Sequence, residues 1–192
     1  MSIEMNEQIE GHILLDVARA RIAESLGMEI DISLPLAGAW LSAHGATFVT
    51  LTKYGELRGC IGTLEAHRPL IEDVQENAYA AAFRDPRFSP LRVEEFDVVS
   101  VEISLLSDPE PMVVETEAEA MTRLRPHIDG VVLEYGQHRS TFLPQVWEQL
   151  PDPQQFLKHL KRKAGLAADF WAADLRLSRY AVQKWREADV PR

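Results

Sequence analysis

The residues best able to do chemistry lie in one short segment, residues 57–63, which reads Leu-Arg-Gly-Cys-Ile-Gly-Thr and contains the only cysteine of the chain. A thiol reacts as the thiolate, and a nearby cation such as Arg58 favours that form. The flanking glycines leave the backbone accessible to another group. The segment predicts that Cys60 is a nucleophile, a redox thiol or a covalent carrier. The alternative is an inert thiol, because most unpaired cysteines pack as small hydrophobic residues.

Four neighbours of Cys60 complete the predicted site. Arg58 is expected on the same face of a regular strand as Cys60, where it would assist catalysis by holding an anionic substrate. Gly59 and Gly62 are expected to shape a backbone pocket for a phosphate or carboxylate, with Thr63 beside it. No Walker lysine or Rossmann pattern follows the glycines, so a nucleotide loop is poorly supported. A β-bulge in a tight hairpin is the structural alternative.

Three charged residues farther along the chain are candidates for substrate binding. Asp85 and Arg87 follow a predicted helix, where they could form an ion pair, or Arg87 could reach the site as an anion clamp. A rigid corner with Phe88 packed in the core is the alternative. Lys163 ends a basic run on an amphipathic helix, and its amine is expected to reach a pocket. The other cations of the run are expected to face solvent, namely Lys158, Lys161 and Arg162.

The histidine and cysteine spacing does not predict a metal site. The six histidines form no His-x-x-x-His pair, and one cysteine cannot supply a Cys-x-x-Cys motif or the three-cysteine set of a radical-SAM cluster. His44 and His67 flank the cysteine segment and could act as its base, although surface histidines are the simpler interpretation. No cofactor is indicated.

The elements expected to position these residues alternate irregularly between helices and strand pairs. A hairpin is predicted from strands at 46–52 and 57–64. The best helix and strand predictions are residues 69–84 and 97–107. Further helices are predicted at 6–26, 36–43, 117–125, 144–150 and 153–164, a connector at 30–35, a second hairpin at 130–135 and 139–143, and a strand within 175–185. This order is typical of an α+β fold with mainly antiparallel sheets.

Composition limits the partners and the compartment. The net charge of −10 argues against general nucleic-acid binding. The excess of cations after residue 151 leaves an RNA-binding module as the weakest hypothesis. No apolar run reaches the length of a membrane span, and the N-terminus does not resemble a signal peptide. A cytoplasmic protein is expected.

Several strings, in this order, resemble the AMMECR domain family over roughly residues 8–186. The most specific is the Leu-Arg-Gly-Cys-Ile-Gly string. The others are Thr-Phe-Val-Thr-Leu from Thr47, Asp-Pro-Arg-Phe from Asp85, Val-Glu-Ile-Ser-Leu-Leu from Val101, Thr-Phe-Leu-Pro-Gln-Val-Trp from Thr141 and Lys-Ala-Gly-Leu from Lys163. A local departure is Ser89, where the family usually has proline.

The resemblance implies one domain over residues 1–192, with two lobes of antiparallel sheets covered by helices and the cysteine motif near a cleft between them. The proline-rich stretch at 108–111 is the expected crossing between lobes. Relatives are often grouped with a Memo-like protein and a radical-SAM protein, as the AmmeMemoRadiSam system, and no activity is securely attached to the family. Two functions follow as hypotheses: an enzyme or enzyme component that binds an anionic small molecule around the motif, or a non-catalytic partner or carrier for Memo-like and radical-SAM proteins.

Overall fold

The computed structural model describes residues 2–29 and 39–187, with side chains from residue 9 onward. The predicted connector at 30–35 and the first part of the helix predicted at 36–43 lie outside the described residues. The chain forms two compact units. The first is built from residues 1–106 and 183–192, and the second from residues 107–182.

Five helices and nine strands form the described regular structure. The helices are α1 (Ser2–Ser25), α2 (Ala39–Ser42), α3 (Leu70–Phe83), α4 (Glu117–Arg123) and α5 (Pro153–Lys163). The strands are β1 (His44–Lys53), β2 (Glu56–Gly62), β3 (Arg68–Pro69), β4 (Val99–Leu106), β5 (Glu110–Met112), β6 (Gly130–Tyr135), β7 (His138–Phe142), β8 (Arg176–Tyr180) and β9 (Val182–Arg186). Short 3₁₀ helices cover Val93–Val98 and Pro144–Glu148.

The first unit is a sheet with the strand order β2-β1-β4-β9, and the short β3 pairs with the start of β1. The pairs β1–β2 and β1–β4 are antiparallel. Alternate residues of β1 and β4 point into a core shared with α1 and α3, among them Val49, Leu51, Val101 and Ile103. Successive side chains of a strand point to opposite faces, which explains the period-2 pattern that predicted β4.

The second unit is an antiparallel sheet with the order β5-β8-β6-β7. Its core includes residues of α4, α5 and β6 and the fully buried Trp147. The Trp147 ring stacks on Phe156 of α5 with 3.8 Å between the ring centroids. Aromatic pairs of this kind add to the apolar area that the unit buries.

The α+β class and the predominance of antiparallel pairing are confirmed. The predicted strand within 175–185 is in fact two strands, β8 and β9, and each joins a different sheet. Residues 110–112, expected only as a break, form the edge strand β5. Pro111 is tolerated there because an edge strand leaves one side of its backbone unpaired.

The prediction that Lys161 faces solvent is wrong. Its side chain is buried in the second unit, and its amine donates hydrogen bonds to Glu117 Oε1 at 2.8 Å and to the Phe170 carbonyl at 3.2 Å. A lysine can lie on the inner face of a helix when its stem packs and its charge is paired. Its sequence neighbour Arg162 is exposed, as expected.

Among the described residues, no helix combines the length and the apolar character needed to cross a membrane.

Candidate functional site

The cysteine segment lies on β2, in a hairpin closed by a two-residue turn. The turn residues Tyr54 and Gly55 have φ values of 53° and 85°, so both are left-handed, as in the hairpin turns that match strand twist. Leu51 of β1 pairs with Gly59, but the next residue, Thr52, pairs with Leu57. Arg58 is therefore an extra residue in β2, which is the definition of a β-bulge.

The bulge changes the expected relation between Arg58 and Cys60. Regular alternation would place both side chains on one face of the sheet, but the alternation is interrupted between them. The structural alternative considered for the glycine-flanked segment, a bulge in a tight hairpin, is confirmed.

Cys60 lies opposite Thr50 in the β1–β2 ladder, and its side chain is half-buried. The Thr50 hydroxyl donates a hydrogen bond to Cys60 Sγ at 3.3 Å. The flanking residues of β1, Val49 and Leu51, point to the other face, into the core with α1 and α3. Cys60 and Thr50 therefore share the sheet face that is turned away from that core.

The same face continues as a polar row across the sheet. Glu102 of β4 lies opposite Thr50. Its carboxylate is 3.6 Å from Lys184 Nζ and forms an ion pair with Arg186 of β9. Sequence analysis missed this row of thiol, hydroxyl, carboxylate and cations. The polar positions of β4, at Ser100, Glu102 and Ser104, were its visible signal.

Gly59 and Gly62 have a packing role in the structure. A Cβ on Gly59 would lie 2.2 Å from the backbone oxygen of Ala81 in α3, and a Cβ on Gly62 would lie 2.3 Å from the ring of Phe48. Both separations are far below van der Waals contact. The two glycines therefore let β2 approach the helix on one side and the Phe48 ring on the other.

The backbone of Cys60 faces the outer edge of β2, where two side chains hold it. Its N–H donates to Asp85 Oδ2 at 2.9 Å, and its carbonyl accepts from Arg87 Nη2 at 3.2 Å. Arg87 also donates to both carboxylate oxygens of Asp85. The hydrogen bonds from Arg87, with that from the Cys60 N–H, hold the pKa of Asp85 well below its usual range although burial opposes this.

Asp85 and Arg87 therefore form the predicted ion pair and also contact the cysteine directly through its peptide groups. Together they occupy the place of a neighbouring strand at that point of the edge.

Arg58 points toward the segment that follows Arg87 in the chain. Its guanidinium donates to both oxygens of Glu95 at 3.0 and 3.1 Å and to the Ser89 carbonyl at 2.9 Å. Lys53 donates to the same carboxylate at 3.0 Å. The hydrogen bonds from Arg58, and next those from Lys53 and the Arg92 N–H, lower the pKa of Glu95 to about 2 against the opposing effect of burial.

A surface depression of about 420 Å³ lies beside this cluster, lined by Arg58, Phe88, Ser89, Pro90, Arg92 and Glu95. Arg58 Nη1 is buried, and it has no hydrogen-bond partner among residues 2–29 and 39–187. The Phe88 ring centroid is 5.9 Å from the Arg58 guanidinium carbon and 5.5 Å from that of Arg87. Phe88 is half-buried at this wall, so the prediction that it packs in the core is wrong.

The remaining predicted site residues lie elsewhere. Thr63 donates its hydroxyl hydrogen bond to the buried Asp73 of α3. Lys163 belongs to the second unit, where its amine donates to the Thr141 carbonyl at 2.9 Å and lies 5.1 Å from the Phe142 ring centroid. His44 and His67 are both exposed. In the part of the chain that the structure describes, no group of three or more His, Cys, Asp or Glu side chains is arranged to hold a metal ion.

Glu95→Gln should make the free energy of unfolding less dependent on pH in the acid range. A carboxylate with a lowered pKa stabilises the folded state above its unfolded pKa of about 4.5, and that stabilisation is lost as the pH falls toward about 2. The parent should therefore lose more unfolding free energy than the variant between pH 5 and roughly 2. Urea midpoints across this range measure the difference. Glu94→Gln, at an exposed neighbouring position, is the control. If the free energy of unfolding of Glu95→Gln falls as steeply with acid as that of the parent, the lowered pKa of Glu95 is contradicted.

The fold and the hairpin define an α+β protein whose single thiol is held at the edge of an antiparallel sheet. The AMMECR1 family model matches residues 15–185, and the chain belongs to the AMMECR1 family. The resemblance inferred from the sequence strings is thus confirmed.

Uncharacterised proteins of archaea are among its relatives. A protein of Methanothermobacter thermautotrophicus is 40% identical over 182 residues, covering 93% of this chain and 94% of the relative. A protein of Sulfurisphaera tokodaii is 41% identical over 179 residues, covering 88% of this chain and 77% of the relative. The crystal structure of an uncharacterised protein from Pyrococcus horikoshii matches with a TM-score of 0.74 and 32% identity, covering 92% of this chain and 91% of that one.

Proposed function

We propose that this protein binds an anionic small molecule beside the outer edge of β2 and acts on it, as an enzyme or enzyme component, through the thiol of Cys60. The observation that carries the proposal is the surface depression lined by Arg58 of β2 and by Arg92, because Arg58 belongs to the same strand as Cys60. Arg58 Nη1 lacks a hydrogen-bond partner among the described residues but is itself buried, so the exposed parts of the two arginines are the ones that a ligand would meet.

The charges around the depression support an anion. Lys53 and Arg58 both contact the single carboxylate of Glu95, so the cluster keeps one positive charge in excess. The exposed Arg92 adds another at the wall. Guanidinium groups suit carboxylate and phosphate oxygens because their donors are planar and permanently charged.

The thiol belongs to the same edge of the sheet. Asp85 and Arg87 hold both peptide groups of Cys60, and the Thr50 hydroxyl donates to its sulfur. These contacts fix the position of the sulfur, which is what a nucleophile or a covalent carrier requires. Gly59 and Gly62 support this arrangement through packing, and Lys163 of the second unit stays a candidate for substrate binding.

Iodoacetamide should alkylate Cys60 in the folded protein, because the thiol is only half-buried. Intact mass spectrometry reads the product without peptide mapping, since the chain has one cysteine. Cys60→Ser should take no label and should unfold within about 0.5 kcal/mol of the parent, as expected for a change outside the packed core. Labelling of the parent only after denaturation would refute a reactive thiol.

A non-catalytic partner protein is the second candidate, and the hairpin tip favours it. Tyr54 is 81% exposed and Leu57 is 44% exposed, although both are large apolar side chains. Exposed aromatic residues are enriched at protein interfaces. On this hypothesis the protein co-purifies with a Memo-like or radical-SAM partner, and Tyr54→Ser weakens the association while Cys60→Ser does not. If Tyr54→Ser keeps the association and Cys60→Ser weakens it, the enzyme hypothesis is favoured.

A further inference from the structure

The segment between α3 and the first 3₁₀ helix, residues 84–92, carries an excess of positive charge. It contains three arginines, Arg84, Arg87 and Arg92, and one acid, Asp85, so three positive charges and one negative charge leave +2. The whole chain has a net charge of −10. This segment, hereafter the arginine loop, is therefore a local basic region on an acidic protein, and such a region attracts an anionic partner.

Two of the three arginines have no carboxylate partner. Arg84 and Arg92 are exposed, and neither forms an ion pair in the part of the chain that the structure describes. The buried carboxylates nearest to them in sequence, Asp85 and Glu95, are paired with other cations. The third arginine, Arg87, is paired with Asp85, but 53% of its side chain is exposed against 2% for the acid. The cation of that pair is thus the part open to a partner.

The arginine loop is attached to the first unit at several points. The Leu91 N–H donates to the Ala82 carbonyl at 2.8 Å, so the loop returns to the last turn of α3. The Ser89 carbonyl accepts a hydrogen bond from a side chain of β2 at 2.9 Å. The guanidinium carbon of Arg84 lies 4.8 Å from the Tyr79 ring centroid, which is a cation–π contact. Groups that are already positioned lose less conformational entropy when a partner binds.

A short acidic protein segment suits this surface better than a nucleic acid does. A nucleic acid carries phosphates along its whole length, so it would extend past the arginine loop over a chain whose net charge is −10. A segment with a few Asp or Glu residues can contact the loop alone. Guanidinium groups also match carboxylates geometrically, because their planar donors pair with both oxygens.

We propose that the arginine loop is a docking surface for an acidic segment of a partner protein, whose carboxylates contact Arg84, Arg87 and Arg92. The proposal does not depend on the thiol chemistry of Cys60, and Arg84 is not part of the lining of the depression. Because Asp85 and Arg87 also hold the peptide groups of Cys60, a partner docked on the loop lies next to the outer edge of β2.

The test measures by fluorescence anisotropy how the full chain binds a fluorescein-labelled peptide of alternating Glu and Gly. Arg84→Gln should weaken binding about twofold to fivefold, the range for one exposed ion pair, and combining it with Arg92→Gln should weaken binding further. The matched control is Arg162→Gln, at an exposed arginine of α5 in the second unit, and it should bind as the parent does. Added salt should weaken binding, because exposed charges are screened. The same peptide with Gln in place of Glu should not bind.

Two results would overturn the docking surface: no binding of the Glu peptide, or parent-like binding in the double variant with an unchanged circular dichroism spectrum. An oligonucleotide of equal charge that binds more tightly than the peptide would overturn the choice of an acidic protein segment. Glu94→Gln should strengthen peptide binding, because an exposed acid next to the loop is removed. Cys60→Ser should bind the peptide as the parent does, so a failure of the thiol proposal is observed separately.

Discussion

Replacing Asp73 by alanine should lower the free energy of unfolding by about 3–5 kcal/mol, the range seen when one partner of a buried charged pair is removed. The Asp73 side chain is fully buried at the start of α3. One oxygen accepts from the N–H and the hydroxyl of Thr47 at 2.8 and 2.7 Å, and the other accepts from Arg68 Nε at 2.9 Å. Asn77 donates to the same carboxylate at 2.9 Å. Removing the carboxylate leaves several of these donors buried without an acceptor.

Urea unfolding followed by circular dichroism measures the loss, and hydrogen exchange at the Thr47 amide locates it. Glu72→Gln is the matched control, because Glu72 is the preceding residue of the same helical turn and is exposed. Its change should stay within about 0.5 kcal/mol. A loss below about 1 kcal/mol in Asp73→Ala would mean that water replaces the carboxylate and that the network contributes little.

Asp73 falls in the first turn of the helix predicted at residues 69–84, but the sequence does not show that its side chain is buried. Glu72 and Asp73 both lie in the first turn of α3, so the stabilising effect of a negative charge near a helix N-terminus does not distinguish them. The difference comes from position, since Asp73 lies three residues after Leu70 and one before Val74, within the apolar stripe. Its partners Thr47 and Thr63 belong to the two strands of the hairpin, and only the folded packing of α3 on β1 and β2 brings them together.

Secondary structure followed from local patterns because those patterns report local preferences. Period-2 alternation identified β4, and the apolar stripe identified α3. The bulge at Arg58 has no comparable signal, because an extra residue in a strand becomes visible only when its pairing partner is known. Because Arg58 is the extra residue of the bulge, its side chain contacts Glu95 and does not follow the alternation that would place it on the same sheet face as Cys60.

The candidate site was predicted in part. Arg58, Cys60, Asp85 and Arg87 do lie along one edge of β2 in the first unit. Glu95 and Phe88, which define the depression, were not predicted as site residues, because a 3₁₀ segment and a loop supply them and neither has a strong sequence period. Contacts between residues separated by 25 to 37 positions depend on tertiary packing, which a single sequence does not specify.

Gly59→Ala should destabilise the first unit by about 1–3 kcal/mol, the usual cost of forcing an extra carbon into a well-packed site. The new Cβ would lie 2.2 Å from the Ala81 carbonyl oxygen, so β2 must move away from α3. Because Gly59 precedes Cys60, the same movement should disturb the hydrogen bond from the Cys60 N–H to Asp85 and change the rate of thiol alkylation. Urea unfolding and the alkylation assay measure the two effects on one protein.

Two controls separate this clash from other consequences of the substitution. Adding Ala81→Gly should not restore stability, because the clash is with the backbone oxygen of Ala81 and its methyl group is not involved. Leu57→Ala, at an exposed position of the same strand, should remain within about 0.5 kcal/mol of the parent. Rescue by Ala81→Gly would show that side-chain crowding is responsible. Parent-like stability in Gly59→Ala would show that β2 is not held this close to α3, and the geometry proposed around Cys60 would then lose its support.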